Sequence, residues 1–300
     1  MTTTVGFIGL GKMGGPMSRR LLGAGFAVHV FNRSPAAIDA LASAGARPCA
    51  SVAELCGRCE VVLTALPTPE SVAQVWRELE AAARPGQLFA DHSTVALEQS
   101  RDCARALHAK GAAFLDAPVS GGPGGAAAGT LTVMVGGAQP DLDRALPVFS
   151  AFGKNIRRCG PAGAGTVVKL INQLLVGVHT AAIAEAAVFG ASLGADPKVV
   201  LELIGTSFGG STMMTRNLPR FTSRDFGAAT SVALLLKDLG LIHDQAKAAG
   251  APLLLGALAE QRFLEARSRG LGELDIAALV RLWEEAAGVT VDHPVHPKET

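Results

Sequence analysis

The chain has 300 residues, room for one large domain or two ordinary ones, and its formal net charge of +1 comes without a basic block, so nucleic acid is not an expected partner. With 49% hydrophobic and 18% charged residues it can fill a substantial core, which excludes a disordered chain. The five cysteines form no regular framework. Cys56 and Cys59 make a C-x-x-C without the second pair or nearby histidine that zinc needs, and read as reduced thiols in a helix-to-strand turn.

The N-terminus lacks a basic region and its apolar stretch is broken by glycines, so it does not read as a signal peptide. TVGFIGL (4–10) predicts a strand and MSRRLLGAG a helix; AVHVFN (27–32) and AAIDALASAG repeat the pair. EVVLTALP (60–67), LFADHST (88–94), AFLDAPV (113–119) and TLTVMVGG (130–137) predict four further strands. Helical PESVAQVWRELEAAA and LEQSRDCARALHAKG lie between some of them. Such alternation predicts a parallel sheet covered on both faces. After about Gly160 strands stop, and Ala- and Leu-rich helical periods run to about residue 288. One of these helices has Asp196 as N-cap and Pro197 at its first position. The apolar run after Gly163 is long enough to raise a membrane question. Its alanines and glycines, with Asn172, Gln173 and His179, predict instead a buried helix of a cytoplasmic protein.

GLGKMG (9–14) is a G-x-G-x-x-G directly after a strand and opening a helix. Gly9 suits the tight turn, Gly11 a close approach to a pyrophosphate, and Gly14 close helix–strand packing. The intervening Leu10, Lys12 and Met13 complete a loop whose N–H groups face the phosphates at a helix N-terminus. A purely structural glycine turn is the alternative. The pattern predicts an α/β Rossmann-type N-terminal domain over 1–162, an all-α C-terminal domain over 163–290 and a flexible tail over 291–300. A site selective for NAD usually ends its second strand with a carboxylate. Here stand Asn32, Arg33 and Ser34. Arg33 and Ser34 can donate to a 2′-phosphate, which makes NADP the preferred cofactor with NAD possible. Alternatively Arg33 is a solvated arginine over the adenine face, tolerant of either.

Ser120-Gly121-Gly122 follows another strand, and its N–H groups and hydroxyl can converge on a carboxylate; a glycine-rich connector is the bland reading. His92, at the end of the fourth strand, is either catalytic or structural. Lys169 stands in GTVVKLINQ, where the only fully charged side chains from Gly160 to Gly194 are Lys169 and Glu185. A lysine in a dry site becomes a usable proton carrier. Asn172 lies three positions on, on the same helix face, with Gln173 beside it. Lys237 in LLLKDLGL is either ion-paired and structural or a group that closes a cleft.

The stretches VGFIGLGKMGGPMSRRL, ALPTPESV, DHSTV, DAPVSGG with GTLTVMVGG, GAGTVVKLINQ and KDLGL, in this order over residues 5 to about 288, resemble the β-hydroxyacid dehydrogenase family. The family includes 3-hydroxyisobutyrate dehydrogenases, tartronate semialdehyde reductases and L-threonate dehydrogenases. The resemblance implies hydride transfer between a nicotinamide and a small β-hydroxyacid or its semialdehyde or keto form. It implies that Lys169 is the general acid/base, that Asn172 orients the reacting oxygen and that Ser120, Gly121 and Gly122 bind the substrate carboxylate. Leu66, Pro67 and Thr94 would line the cofactor, and Lys237 would reach cofactor or substrate. It further implies a long interdomain helix and a homodimer or homotetramer formed through the helical domain. Asn172-Gln173 resembles the tartronate semialdehyde reductases, whereas GVHTAAIAEA and the KDLGL region resemble the branch acting on four-carbon sugar acids. The competing functions are an imine or other small-carbonyl reductase and a non-catalytic NADP-binding protein; Lys169 argues against both.

Overall fold

The computed structural model describes residues 3–291, so all of the expected tail but its first residue lies outside the described residues. The chain divides into two compact units, residues 1–170 and 171–300.

In the first unit strands and helices alternate: β1 (Thr4–Ile8), α1 (Gly14–Gly23), β2 (Ala27–Phe31), α2 (Pro35–Ala42), β3 (Arg47–Pro48), α3 (Val52–Arg58), β4 (Val61–Thr64) and α4 (Pro69–Ala82). They continue as β5 (Leu88–Asp91), α5 (Leu97–His108), β6 (Ala113–Asp116), β7 (Val119–Ser120), α6 (Gly122–Ala128), β8 (Leu131–Gly136), α7 (Gln139–Phe149) and β9 (Gly153–Gly160). The sheet order is β3-β2-β1-β4-β5-β6-β8-β7, with β9 on β8. From β3 to β6 every pairing is parallel. β8 runs antiparallel to β6 and β7, so the sheet is mixed rather than wholly parallel. Val61 and Leu63 enter one core with Met17 and Leu21 of α1, while Val62 enters the other with Leu55 and Trp76. A sheet buried on both faces is why successive positions such as Val61, Val62 and Leu63 are all apolar.

Besides the two-residue β3, which no expected strand covers, three elements depart from the sequence expectation. The single strand expected over 113–119 is split into β6 and β7. The glycine-rich stretch after Ser120 forms α6, a helix that four alanine-free positions of low propensity hide from a pattern search. β9 has mostly exposed Lys and Arg side chains and therefore no apolar alternation, yet it pairs along the length of β8. Cys56 and Cys59 are buried free thiols at the exit of α3, and burial pushes both thiols up, that of Cys59 to about 12, which disfavours the reactive thiolate.

α8 (Ala164–Ser192) begins in the first unit and continues into the second. The second unit adds α9 (Pro197–Ile204), α10 (Thr212–Ser223), α11 (Val232–Ala249), α12 (Leu254–Ala266) and α13 (Val280–Ala287). Asp196 caps α9 by accepting from the Lys198 N–H at 2.8 Å, with Pro197 at the first position as expected. Ala184 and Val188 of α8 pack against Met214, Leu218, Phe221 and Val280. A buried knot fastens the loops: Arg216 donates to both oxygens of Asp275, at 2.9 and 2.8 Å, and Asp275 also accepts from Ala229, Thr230 and Ala277 N–H groups. Burial alone would raise the Asp275 carboxyl, but the Arg216 bonds and the backbone donors outweigh it and hold the group below its ordinary value.

Candidate active site

β1 lies between β2 and β4, so the chain reverses its direction of travel across the sheet at the carboxyl end of β1. Open α/β sheets bind ligands at such a crevice. The glycine loop occupies this point. Gly9 has φ +93°, and a Cβ there would stand 2.3 Å from the Ala65 carbonyl oxygen. A Cβ on Gly14 would stand 1.8 Å from the Gly9 carbonyl oxygen. Both positions are closed to any larger residue by the protein's own backbone. Gly11 is different: it is exposed and a Cβ would meet nothing within 4 Å. The chain leaves space over Gly11 that its own packing does not require, which fits a pyrophosphate laid against the backbone. Asn32 braces this loop, its side-chain oxygen accepting from the Leu10 N–H at 3.1 Å and its amide donating to the Ser34 carbonyl at 3.2 Å. Arg33 and Ser34 are exposed at the end of β2. The residues present therefore fit a dinucleotide.

The neighbouring strand ends are tied together by Asp91. Its Oδ1 accepts from Thr64 Oγ1 at 2.7 Å, Ser93 Oγ at 2.6 Å and the Ser93 N–H at 3.0 Å. Burial pushes the Asp91 carboxyl up, against the lowering effect of these donors. Ser93 in turn accepts from the Leu66 N–H at 2.9 Å, which fixes the turn carrying Leu66 and Pro67 after β4. Leu66 reaches Gly9, and Thr94 follows β5 on the same edge. His92 is structural. Its Nδ1 donates to the Ala117 carbonyl at 2.6 Å, its ring packs among Phe7, Phe149 and Phe152, and burial lowers its pKa from 6.5 to about 4.

Lys169 belongs to the same unit as the glycine loop, is 8% exposed and lies in the second turn of α8. The start of that helix is held by a side chain remote in sequence. Asp116, at the carboxyl end of β6, accepts from the Gly163 N–H and the Thr166 N–H, each at 2.7 Å. These are two of the donors a helix start leaves without intrahelical partners. Burial pushes the Asp116 carboxyl up, and the two N–H bonds oppose that shift. Ser100 bonds Thr166 Oγ1 at 2.8 Å. Ser120 ends β7, which runs antiparallel to β8 as β6 does; Asp116 stands opposite Gly136 and Ser120 opposite Thr132, so Ser120 continues beyond Asp116 in the same strand direction. Gly121 and Gly122 follow with φ +130° and +63°, conformations readily open only to glycine.

Asn172 and Lys237 belong to the second unit and are linked there through Gln173 and Asp238. The Asn172 amide donates to Gln173 Oε1 at 2.9 Å, and Gln173 donates to Asp238 Oδ2 at 2.5 Å. Asp238 pairs through Oδ1 with the Lys237 ammonium at 2.7 Å. Lys237 is thus ion-paired with its sequence neighbour. Among the described residues no cluster of His, Cys, Asp or Glu could hold a metal ion.

Comparison with known proteins agrees with this geometry. Residues 4–160 match the family model described as the NAD binding domain of 6-phosphogluconate dehydrogenase. Residues 163–283 match the one described as the NAD-binding domain of NADP-dependent 3-hydroxyisobutyrate dehydrogenase. The chain is 38% identical to 2-(hydroxymethyl)glutarate dehydrogenase of Eubacterium barkeri, over 96% of this chain and 97% of the relative. It is 39% identical to L-threonate dehydrogenase of Cupriavidus necator, over 94% and 97%. The solved structure of Mycobacterium tuberculosis 3-hydroxyisobutyrate dehydrogenase with L-serine superposes with a TM-score of 0.87 at 38% identity, covering 94% of this chain and 99% of that one. These relatives are dehydrogenases by name, which does not favour the imine-reductase alternative. With a glycine cradle at the switch point and full-length relatives of this kind, the chain belongs to the β-hydroxyacid dehydrogenase family and is an NAD(P)-dependent oxidoreductase acting on hydroxyl groups.

Proposed function

We propose that the protein interconverts a small β-hydroxyacid and its semialdehyde or keto form, with Lys169 as the proton carrier. The observation that carries the proposal is a buried lysine on a helix whose start is clamped, through Asp116, to the sheet edge that bears the glycine loop. Gly9, Leu10, Gly11, Lys12, Met13 and Gly14 would hold the pyrophosphate, with Leu66, Pro67 and Thr94 along the rest of the cofactor. Asn32 braces the loop while Arg33 and Ser34 take the 2′-phosphate of NADP, the preferred cofactor. Bound there, the nicotinamide supplies the hydride acceptor or donor.

Ser120 and the N–H groups of Gly121 and Gly122 grip the substrate carboxylate, which fixes the carbon that reacts. In oxidation the Lys169 amine takes the hydroxyl proton; in reduction its ammonium returns it to the carbonyl oxygen. Asn172 orients that oxygen, and Lys237 contributes a positive charge for cofactor or substrate. The domains follow these roles: 1–162 for the dinucleotide and 163–290 for substrate and assembly. The enzyme is cytoplasmic and forms a homodimer or homotetramer through the apolar surface of its helical unit.

Lys169→Ala tests the proposal. Turnover on a panel of three- and four-carbon hydroxyacids is expected to fall by about 10²- to 10⁴-fold, the range of general acid/base loss, while NADPH binding by fluorescence titration is unchanged. Undiminished turnover on a good substrate would overturn it.

A further inference from the structure

A buried acid fixes the polarity of the Asn172 amide. Asp238 is 2% exposed and its carboxylate has only acceptors to offer. Gln173 must therefore turn its NH₂ toward Asp238, as the 2.5 Å contact from Nε2 to Oδ2 has it. That leaves the Gln173 carbonyl facing Asn172, which must answer with its own NH₂, at 2.9 Å. The Asn172 carbonyl oxygen is then the end turned away from Gln173. An amide's two ends are alike in shape, so an isolated asparagine could present either one. Here the chain Lys237–Asp238–Gln173–Asn172 permits one polarity only, because it starts from an ammonium that only donates and a carboxylate that only accepts.

We infer that Asp238 and Gln173 are positioning residues that make Asn172 a hydrogen-bond acceptor toward the reacting group, an inference that rests on the assignment of Asn172 to the reacting oxygen. An acceptor there favours partners that carry the mobile proton: the substrate hydroxyl before oxidation, or an ammonium before reduction. In reduction Asn172 would thus orient the carbonyl oxygen through the ammonium that protonates it, not by a bond of its own.

The polarity argument predicts an unusual variant. In Asp238→Asn the new side-chain oxygen must face the Lys237 ammonium, so its NH₂ faces Gln173. Every amide in the chain then reverses: Gln173 donates to Asn172, and Asn172 presents NH₂ where it presented oxygen. The hydrogen bonds are kept in number while the end offered to the reacting group changes from acceptor to donor.

The test uses the full-length protein, with ¹⁵N side-chain amide spectra and hydrogen exchange beside steady-state kinetics. In the wild type one Asn172 Nδ2 proton is expected to be protected from exchange. In Asp238→Asn both are expected to exchange rapidly while the Gln173 protons stay protected. On the best hydroxyacid of the panel kcat is expected to fall about 10- to 100-fold, as for loss of a hydrogen bond to a charged group, with little change in KM for the cofactor. The same substitution in an Asn172→Ala background is expected to cost nothing further. Asn172 protection that survives Asp238→Asn, or full additivity with Asn172→Ala, would overturn the inference and leave the role of Asn172 standing. An Asn172→Ala enzyme of unchanged kcat would instead overturn that role. If Asp238→Asn does not fold, Gln173→Leu carries the same test, because it alone should release the Asn172 NH₂ to exchange; retained protection would overturn the inference.

Discussion

Arg33 is the residue on which cofactor choice turns. It is exposed at the end of β2, beside an asparagine committed to bracing the glycine loop through the Leu10 N–H. No carboxylate follows β2 to repel a 2′-phosphate or to accept from a 2′-hydroxyl. A guanidinium-to-phosphate bond contributes about 1.5–3 kcal/mol, so Arg33→Ala should weaken NADPH by about 10- to 100-fold. NADH, which lacks the phosphate, should change by less than about 3-fold on the same scale. Fluorescence titration with both cofactors measures this, and equal weakening would mean that Arg33 only covers the adenine. The glycine loop was legible in the sequence because its spacing is a local motif and Gly14 is closed from within it, by the Gly9 carbonyl; the backbone that crowds Gly9 belongs to Ala65, remote in sequence, and was not legible. Asp116 left no such mark, nor did the bond that joins Gln173 to Asp238. Asp116 acts on residues 47 and 50 positions away, and Gln173 on one 65 positions away. No periodicity encodes a hydrogen bond at that separation.

At the scale of the element, α8 decides where Lys169 stands. Its apolar run was readable as a helix, but what fixes its start was not. Beyond the Asp116 clamp, Gly165 lets the helix approach the sheet: a Cβ there would lie 2.2 Å from the Met134 carbonyl oxygen and 2.8 Å from that of Asp116. Two effects compete in Gly165→Ala. Alanine gains about 1 kcal/mol of helix propensity over glycine. The clash is with backbone, which cannot swing aside as a side chain can, and overpacking of this kind costs about 1–3 kcal/mol. The clash is expected to prevail, with a lower urea midpoint and a net loss of stability. It also displaces the turn that carries Lys169, and a shift of about 1 Å can cost about 10²-fold in turnover. Gly23→Ala in α1 is the control, since a Cβ there meets nothing within 4 Å. It should be neutral or slightly stabilising and leave turnover alone. A Gly165→Ala enzyme as stable and active as Gly23→Ala would refute this account of the helix start.

For the whole molecule the unanswered surface belongs to the helical unit. α8 is long and apolar enough to cross a membrane, and only 28% of its most apolar window is buried within the chain. In the second unit Phe189 of α8 and Leu193 in the turn after it are 66% and 72% exposed, and Leu255 and Leu258 of α12 are 67% and 60% exposed. Phe189, Leu255 and Leu258 line one groove with Trp283, and the same groove holds Glu185 and Arg262. Lipid would strand those charges in hydrocarbon, whereas a protein partner can cover the leucines and still pair the charges. A second copy of the chain offers such a surface, and a two-fold interface is self-complementary by construction. Light scattering on a gel-filtered sample should therefore give two or four times the mass of one chain. Replacing large apolar residues at the centre of an interface costs about 2 kcal/mol or more each, so Phe189→Asp with Leu258→Asp should shift the mass to one chain at micromolar concentration. Both residues are exposed within the single chain, so circular dichroism should show the variant's helices intact. A wild type that is already monomeric at that concentration would remove the assembly from the proposal and leave the apolar groove to a different partner.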